Sequence, residues 1–121
     1  MKKIFFALAL TVACLVNIHA EATDVWISSA GGDSEWYVID ETIDGGDEKF
    51  RWTNAKLKLV ERDGDFKIIS WNFTQTNPDG GRLANWVYEI DYGDGKRYTE
   101  EVLAGTNAEK ILLHCLNHLG M

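Results

Sequence analysis

Three short segments that combine aspartate with glycine divide most of this chain into pieces of strand length. They are residues 44–47 (DGGD), 63–65 (DGD) and 93–95 (GDG). Glycine accepts the positive φ that tight turns require, so each segment is predicted to be a hairpin turn. Strands joined by turns this short run antiparallel, because parallel strands need long crossovers. The sequence therefore predicts an antiparallel β-meander.

About six strands are predicted from alternating apolar and polar residues and from enrichment in aromatic and β-branched residues, at 24–28, 35–43, 49–62, 66–74, 83–92 and 96–103. In the third strand the apolar residues change parity after Trp52, which predicts a bulge or bend near Thr53 and Asn54. Residues 75–81, which contain Asn-Pro-Asp-Gly-Gly, are predicted to form a flexible loop.

Pairing across the last two turns favours three-residue loops, because these segregate apolar from polar side chains. Around residues 63–65 this register places Leu57 opposite Trp71. Around residues 93–95 it places Ile90 opposite Tyr98, and Asp91 opposite Arg97. One face of the sheet is then apolar, with both Trp71 and Trp86 in the core.

One segment near the C-terminus, residues 106–119, has a helical pattern and is available to cover that face. Thr106 and Glu109 have capping-box spacing, and Gly120 suits a left-handed end. The apolar residues recur at steps of three and four and form one stripe: Ala108, Leu112, Cys115, Leu116 and Leu119. The predicted fold is α+β, an antiparallel β-meander with one C-terminal helix packed on its apolar face.

The N-terminus has the three-part layout of a secretory signal peptide. Lys2 and Lys3 precede an apolar run at residues 4–18, and small residues follow at Ala20 and Ala22. We expect residues 1–22 to be the signal and residues 23–121 to be a single domain, with cleavage after Ala20 as the near alternative. The apolar run is short for a membrane span, so none is expected after signal removal.

The remaining chain is acidic and contains one cysteine. Cleavage after Ala20 would leave 10 basic residues against 19 acidic ones, which argues against nucleic-acid binding. Cys14 would leave with the signal, so Cys115 can form no internal disulfide. It is then either a buried thiol or an intermolecular disulfide to a second chain.

No catalytic set is evident, and the chain is expected to be a non-enzyme without cofactor or metal. The serines lack a nucleophile-elbow pattern. His114 and His118 have a spacing that can bind one metal, but no third ligand accompanies them, so two solvated histidines on the helix flank are favoured.

The best candidates for a protein-binding surface are aromatic and aliphatic side chains that the alternation does not assign to the core. Exposed residues of this kind suit binding surfaces. Three are tryptophans on strands whose faces are unassigned, and three lie at one end of the polar face: Trp26, Trp36 and Trp52, and Val60, Phe66 and Ile68.

Several motifs resemble the surface-adhesin protein E family of Gram-negative bacteria. They are W-Y-V-I-D-E-T-I at 36–43, Y-x-x-G at 92–95 and A-G-T-x-x-E-x-I-x-x-x-C at 104–115. The resemblance implies a curved sheet with the helix on its concave side, self-association into homodimers, and binding of host matrix proteins or plasminogen at the cell surface. In the family the helix cysteine is tied to the sheet, whereas Cys115 has no mature partner.

The predicted function is that of an exported, non-enzymatic binding protein at the surface or in the periplasm of a Gram-negative bacterium. As a surface adhesin it would bind a host extracellular matrix or serum protein. The alternative is a periplasmic inhibitor or immunity-like protein that binds a cognate enzyme, with the loop at residues 75–81 inserted into that enzyme.

Overall fold

The computed structural model describes residues 24–121, so the predicted signal segment lies outside the described residues. This part of the chain contains seven strands, one short 3-10 turn and one helix. In order they are β1 (Asp24–Gly31), β2 (Ser34–Ile39), the 3-10 turn (Asp40–Thr42), β3 (Asp44–Asp47), β4 (Arg51–Val60), β5 (Phe66–Gln75), β6 (Trp86–Asp91), β7 (Arg97–Glu101) and α1 (Asn107–Leu119).

All strands belong to one antiparallel sheet. Its order is β1-β2-β4-β5-β6-β7, and β3 pairs with β4 beside the end of β2. Strands that follow each other in the chain are therefore neighbours except where β3 intervenes. This arrangement, with α1 at the end of the chain, confirms the predicted α+β meander and adds one short strand to it.

Helix α1 packs on the apolar face of the sheet. Thr106 caps its start by accepting a hydrogen bond from the backbone N–H of Glu109, and Gly120 ends it at φ 72°. The helix buries Ile111 in addition to most of the predicted stripe, whereas Leu119 is only half-buried. The sheet contributes Trp36, Val38, Ala55, Leu57, Ile69, Trp71, Phe73, Trp86 and Ile90 to this core.

The sheet curls around the helix. The N–H of Val102, which follows β7, donates to the Trp86 carbonyl, and the side chain of Asn107 donates to the Ser29 carbonyl in β1. Five residue steps from Val102 to Asn107 span at most about 18 Å. Val102 and Ser29 lie at opposite edges and opposite ends of the sheet. In a flat sheet they would be more than about 30 Å apart. Helix α1 therefore lies on the concave side.

The predicted hairpin turn at residues 44–47 is wrong. This DGGD segment is β3, which pairs with β4 from Asp44 opposite Asn54 to Asp47 opposite Arg51. Glycine is needed here for close approach instead of a turn, because a Cβ on Gly45 would lie 2.7 Å from the Trp52 carbonyl oxygen. The chain reverses one step later, at residues 48–50.

Two predictions about β4 are also corrected. Its pairing with β5 runs without interruption from Trp52 to Val60, so the expected bulge is absent from β4. The irregularity lies in its neighbour, where the Asp40–Thr42 turn separates β2 from β3. The β4–β5 register differs by two residues from the predicted one, with Leu57 opposite Ile69. A shift of two preserves the faces, so the core assignments still hold.

The hairpin of β6 and β7 has the predicted register. Ile90 pairs with Tyr98, and Asp91 pairs with Arg97. Strand β6 begins only at Trp86, however, because Asn85 adopts a left-handed conformation at φ 63°. The residues before it form the predicted loop, in which the side chains of Gln75 and Asn85 donate hydrogen bonds to backbone carbonyls.

Candidate protein-binding site

Four of the six candidate residues meet at one end of the outer face, which is the face of the sheet opposite α1. Tyr37 pairs with Trp26 on one side and with Lys58 on the other. Lys58 in turn pairs with Ile68. Val60 pairs with Phe66 in the adjoining row. Paired residues share a face, so Trp26, Tyr37, Val60, Phe66 and Ile68 form one surface, here called the outer patch.

The outer patch exposes large apolar side chains. Trp26 is 53% exposed, Phe66 45% and Ile68 44%, while Tyr37 and Val60 are half-buried. Isolated apolar residues are common on protein surfaces, but contiguous groups of this kind characterise interaction sites. Aromatic residues are enriched among the side chains that contribute most to protein–protein affinity.

Polar contacts hold the side chains of the outer patch in place. Lys58 is buried at its centre, where Nζ lies 2.7 Å from Asp24 Oδ2 and 4.8 Å from the centroid of the Phe66 ring. The Trp26 indole N–H donates to Glu35 Oε1 at 2.6 Å. A surface whose side chains are already ordered loses less conformational entropy on binding. The side chains of the outer patch therefore need little further ordering to bind a partner.

The rim of the outer patch is acidic. The two turns at its end, residues 32–33 and 61–65, carry four acidic residues and one basic residue, a net charge of −3. The basic residue in these turns, Arg62, lies 3.5 Å from Asp33 Oδ2. A partner with basic groups around an apolar contact would match this surface.

The other two candidates lie elsewhere. Trp36 is buried in the core, where its ring meets that of Trp71 edge-on at 5.3 Å, so the structure removes it from the candidate surface. Trp52 is half-buried at the opposite end of β4, opposite Gly46 and Thr74. The assignment of Trp71 and Trp86 to the core is confirmed.

His114 and His118 lie on the flank of α1, as the sequence predicted, but they face an acid that sequence reasoning missed. His114 Nε2 lies 2.7 Å from Asp40 Oδ1, and His118 Nδ1 lies 3.9 Å from Asp40 Oδ2. Asp40 follows β2 directly, and only the folding of α1 onto the sheet brings it to the helix. Across residues 24–121, no group of three or more potential ligands is arranged to hold a metal ion.

Cys115 is a free thiol buried between α1 and the sheet. Burial raises the pKa of the thiol to about 12, and a hydrogen bond with the Thr53 side chain opposes this only in part. An intermolecular disulfide through Cys115 would require the helix to leave the sheet.

The structure also contains a second exposed aromatic surface, which the sequence did not predict. Tyr88, Ile90, Tyr92 and Tyr98 line a groove of about 420 Å³ on the concave face along β6 and β7, here called the tyrosine groove. Tyr98 lies on the apolar face, as its predicted pairing with Ile90 requires, yet it is 52% exposed. Burial, and then the negative charge of Glu100, raise the pKa of Tyr88. Alternation identifies the face of a residue but not how far one helix covers that face.

No protein-family model, curated protein or solved structure matches this chain. Within residues 24–121, no helix has the length and apolar character needed to cross a membrane.

Proposed function

We propose that this chain is an exported, non-enzymatic binding protein that holds a protein partner on the outer patch. The observation that carries the proposal is that Trp26, Phe66 and Ile68 are all exposed at one end of the face that the helix does not cover. These side chains are fixed around the buried Lys58 and surrounded by acidic residues. An apolar centre with a charged rim is the usual anatomy of a protein interface.

The resemblance to the surface-adhesin protein E family supports a host extracellular-matrix or serum protein as this partner, met at the bacterial cell surface. The acidic rim favours a basic region of that protein, since complementary charge accelerates association and selects partners. Binding through such a rim would weaken as salt concentration rises.

The proposal is tested by immobilising the protein, residues 23–121, on a surface. Binding is then measured separately for plasminogen and for a solubilised extracellular-matrix extract. Each of the variants Ile68→Ser and Trp26→Ser should weaken binding at least tenfold, because truncation of an interface anchor commonly costs about 2 kcal/mol or more. Val87→Ser is the matched control, since Val87 lies half-buried on the same face at the other end of the sheet. Unchanged binding by both patch variants would refute the proposed site.

The loop between β5 and β6 supports the alternative, a periplasmic inhibitor that inserts a preformed loop into an enzyme. The side-chain amide of Asn85 donates to the carbonyls of Asn77 and Asp79, at 3.0 and 2.9 Å. Gln75 likewise donates to the carbonyls of Gly81 and Ala84. Rigid loops lose little entropy on insertion, which is an advantage for inhibitors.

The two functions are distinguished by comparing a substitution in the loop with one in the outer patch. The one that abolishes partner binding identifies the binding surface. Asp79→Ala changes an exposed loop side chain and leaves the hydrogen bonds of Asn85 to the loop backbone available. A partner lost with Asp79→Ala but retained with Ile68→Ser would favour the inhibitor. The reverse pattern would favour the outer patch.

A further inference from the structure

The two edges of the sheet differ in how they are protected. Edge strand β1 contains two register shifts, and the Ser29 carbonyl accepts a hydrogen bond from Asn107. Edge strand β7 pairs with β6 without any shift, and all five of its residues are exposed. Bulges and covering contacts are devices that prevent edge pairing. Strand β7 shows neither of these two devices among the residues that the structure describes; its protection is charge, from Arg97, Glu100 and Glu101, which restricts pairing to a strand of complementary charge.

The outward backbone groups of β7 can be assigned from the hydrogen bonds at the two ends of the hairpin. Val102 N–H donates to the Trp86 carbonyl, and Tyr92 N–H donates to the Lys96 carbonyl. Hydrogen-bonded and non-hydrogen-bonded pairs alternate along an antiparallel ladder. The backbone of Tyr98 therefore points towards β6. The N–H and C=O groups of Arg97, Thr99 and Glu101 point to the free edge.

The tyrosine groove runs directly beside this edge. Its wall on β7 is formed by Tyr98 and Glu100, whose side chains lie on the concave face. The Tyr98 ring packs edge-on against Tyr92 at 5.7 Å. An added strand would place every second side chain on the same face, next to Tyr98. Aliphatic side chains at those positions would cover the tyrosine rings.

The charges around β7 favour a basic strand. On the outer face, Arg97 lies 3.5 Å from Asp91 and 3.9 Å from Glu89. Together with Glu101 these four side chains sum to −2. On the concave face, Asp94, Lys96 and Glu100 line the groove and sum to −1. Lysine or arginine at the alternate positions of an added strand would face an excess of negative charge.

We propose that β7 and the tyrosine groove form a second binding site, which adds an extended segment of a partner protein to the sheet as a further strand. The segment alternates aliphatic residues, which contact the tyrosines, with basic residues, which face the acids of the outer side. Recognition combines backbone hydrogen bonds to Arg97, Thr99 and Glu101 with the aromatic groove, as in other strand-addition sites.

A fluorescent seven-residue peptide of alternating valine and lysine, with blocked ends, tests this site. The peptide should bind the wild-type protein, and the analogue with glutamate in place of lysine should bind at least tenfold more weakly. Thr99→Pro should weaken binding at least tenfold, because proline removes an outward N–H while the bonds of β7 to β6 do not use that group. Thr99→Val retains the N–H and should bind within twofold of wild type.

Hydrogen exchange provides a readout that does not depend on how the variants fold. Peptide should slow exchange at the amides of Arg97, Thr99 and Glu101 at least tenfold, with a smaller effect at Tyr98. Tyr98→Ser should weaken binding of the peptide at least fivefold, whereas Ile68→Ser on the outer patch should leave peptide binding unchanged.

Three results would overturn the proposal. The first is no binding of the valine–lysine peptide by the wild-type protein. The second is equal binding by Thr99→Pro and Thr99→Val. The third is a doubled molecular mass of the wild-type protein that Thr99→Pro reduces to the monomer mass, which would assign the edge to a second copy of this chain.

Discussion

The side chain of Leu119, at the end of α1, lies directly against the backbone of Gly45 in β3. A Cβ added at Gly45 would stand 2.6 Å from Leu119 Cδ1 and 2.7 Å from the Trp52 carbonyl oxygen. The Leu119 methyl group ends a side chain that can rotate, but the Trp52 carbonyl belongs to the backbone of the paired strand and cannot move without disturbing β4. The glycine therefore allows the end of the helix to seat on the sheet.

Gly45→Ala should lower the free energy of unfolding by about 2 kcal/mol, because the added methyl group would force β3 away from the Trp52 carbonyl of β4. Gly46→Ala is the control: its Cβ would meet mainly the side chains of Trp52 and Glu48. These side chains can rotate, so the loss should be smaller, below about 1 kcal/mol. Urea unfolding followed by tryptophan fluorescence measures both. Equal losses would show that Leu119 and the Trp52 carbonyl impose no special constraint.

Burial of Cys115 predicts an unreactive thiol. In the folded protein at pH 8, iodoacetamide should modify Cys115 at least a hundredfold more slowly than in urea, because the reactive thiolate is suppressed by a pKa of about 12 and the sulfur is covered. The mass under non-reducing conditions should be that of a single chain. Rapid labelling, or a dimer mass lost on reduction, would contradict the buried thiol and support a link to a second chain.

The same thiol should make stability depend on alkaline pH. The unfolded chain releases the proton near pH 9, whereas the folded chain retains it to about pH 12. Raising the pH through this window therefore favours the unfolded state, by about 1.4 kcal/mol per pH unit. Cys115→Ala should lack this component. The difference in unfolding free energy between wild type and variant should be constant below pH 8 and should shrink above pH 9; a constant difference up to pH 11 would contradict it.

The sequence was sufficient for the layers of the fold because its apolar alternation is strong where strands are buried on one side. Ala55 and Leu57, like Trp71 and Phe73, kept their predicted face although the register was wrong by two residues. Side-chain alternation repeats every two residues, so it cannot distinguish two registers that differ by two.

Features that depend on contacts distant in sequence were not predictable. The glycines at 45 and 46 suggested a turn, but they permit contacts with Leu119 and Trp52. In the candidate site, side-chain alternation along β5 alone predicted that Phe66 and Ile68 lie on the face opposite the core. Trp26 could be placed on the same end of that face only once β1 was paired with β2, and β2 with β4. The exposure of Tyr98 depends on how much of the sheet one helix covers.

Lys58 should contribute strongly to stability because it is a buried charge in an ion pair with Asp24 at 2.7 Å. Lys58→Ala should lower the free energy of unfolding by about 3 kcal/mol, since the buried Asp24 carboxylate loses this ion pair and the Phe66 ring loses its cation. Lys56, two residues earlier on the same face, is exposed. Lys56→Ala should change stability by less than about 0.5 kcal/mol. Similar values for the two lysines in chemical unfolding would show that loss of the buried ion pair at Lys58 carries no special cost.

Asn85 allows a test of the loop before β6 in which backbone strain and hydrogen bonding are separated. Its φ is 63°, and its side-chain amide donates to the carbonyls of Asn77 and Asp79. Asn85→Gly removes the two hydrogen bonds but suits the left-handed backbone, so we expect a loss of about 1 kcal/mol. Asn85→Ala loses the same bonds and adds the strain of a Cβ in that conformation, which should raise the loss to about 2 kcal/mol.

Hydrogen exchange of the loop amides distinguishes local from global effects of the same two variants. Both should accelerate exchange at Asp79, which lies within the loop, while the amides of β5 that pair with β4 remain protected. A preformed loop requires these hydrogen bonds, so Asn85→Gly should also weaken any partner that the loop inserts into. Unchanged exchange at Asp79 in both variants would mean that Asn85 does not order the loop.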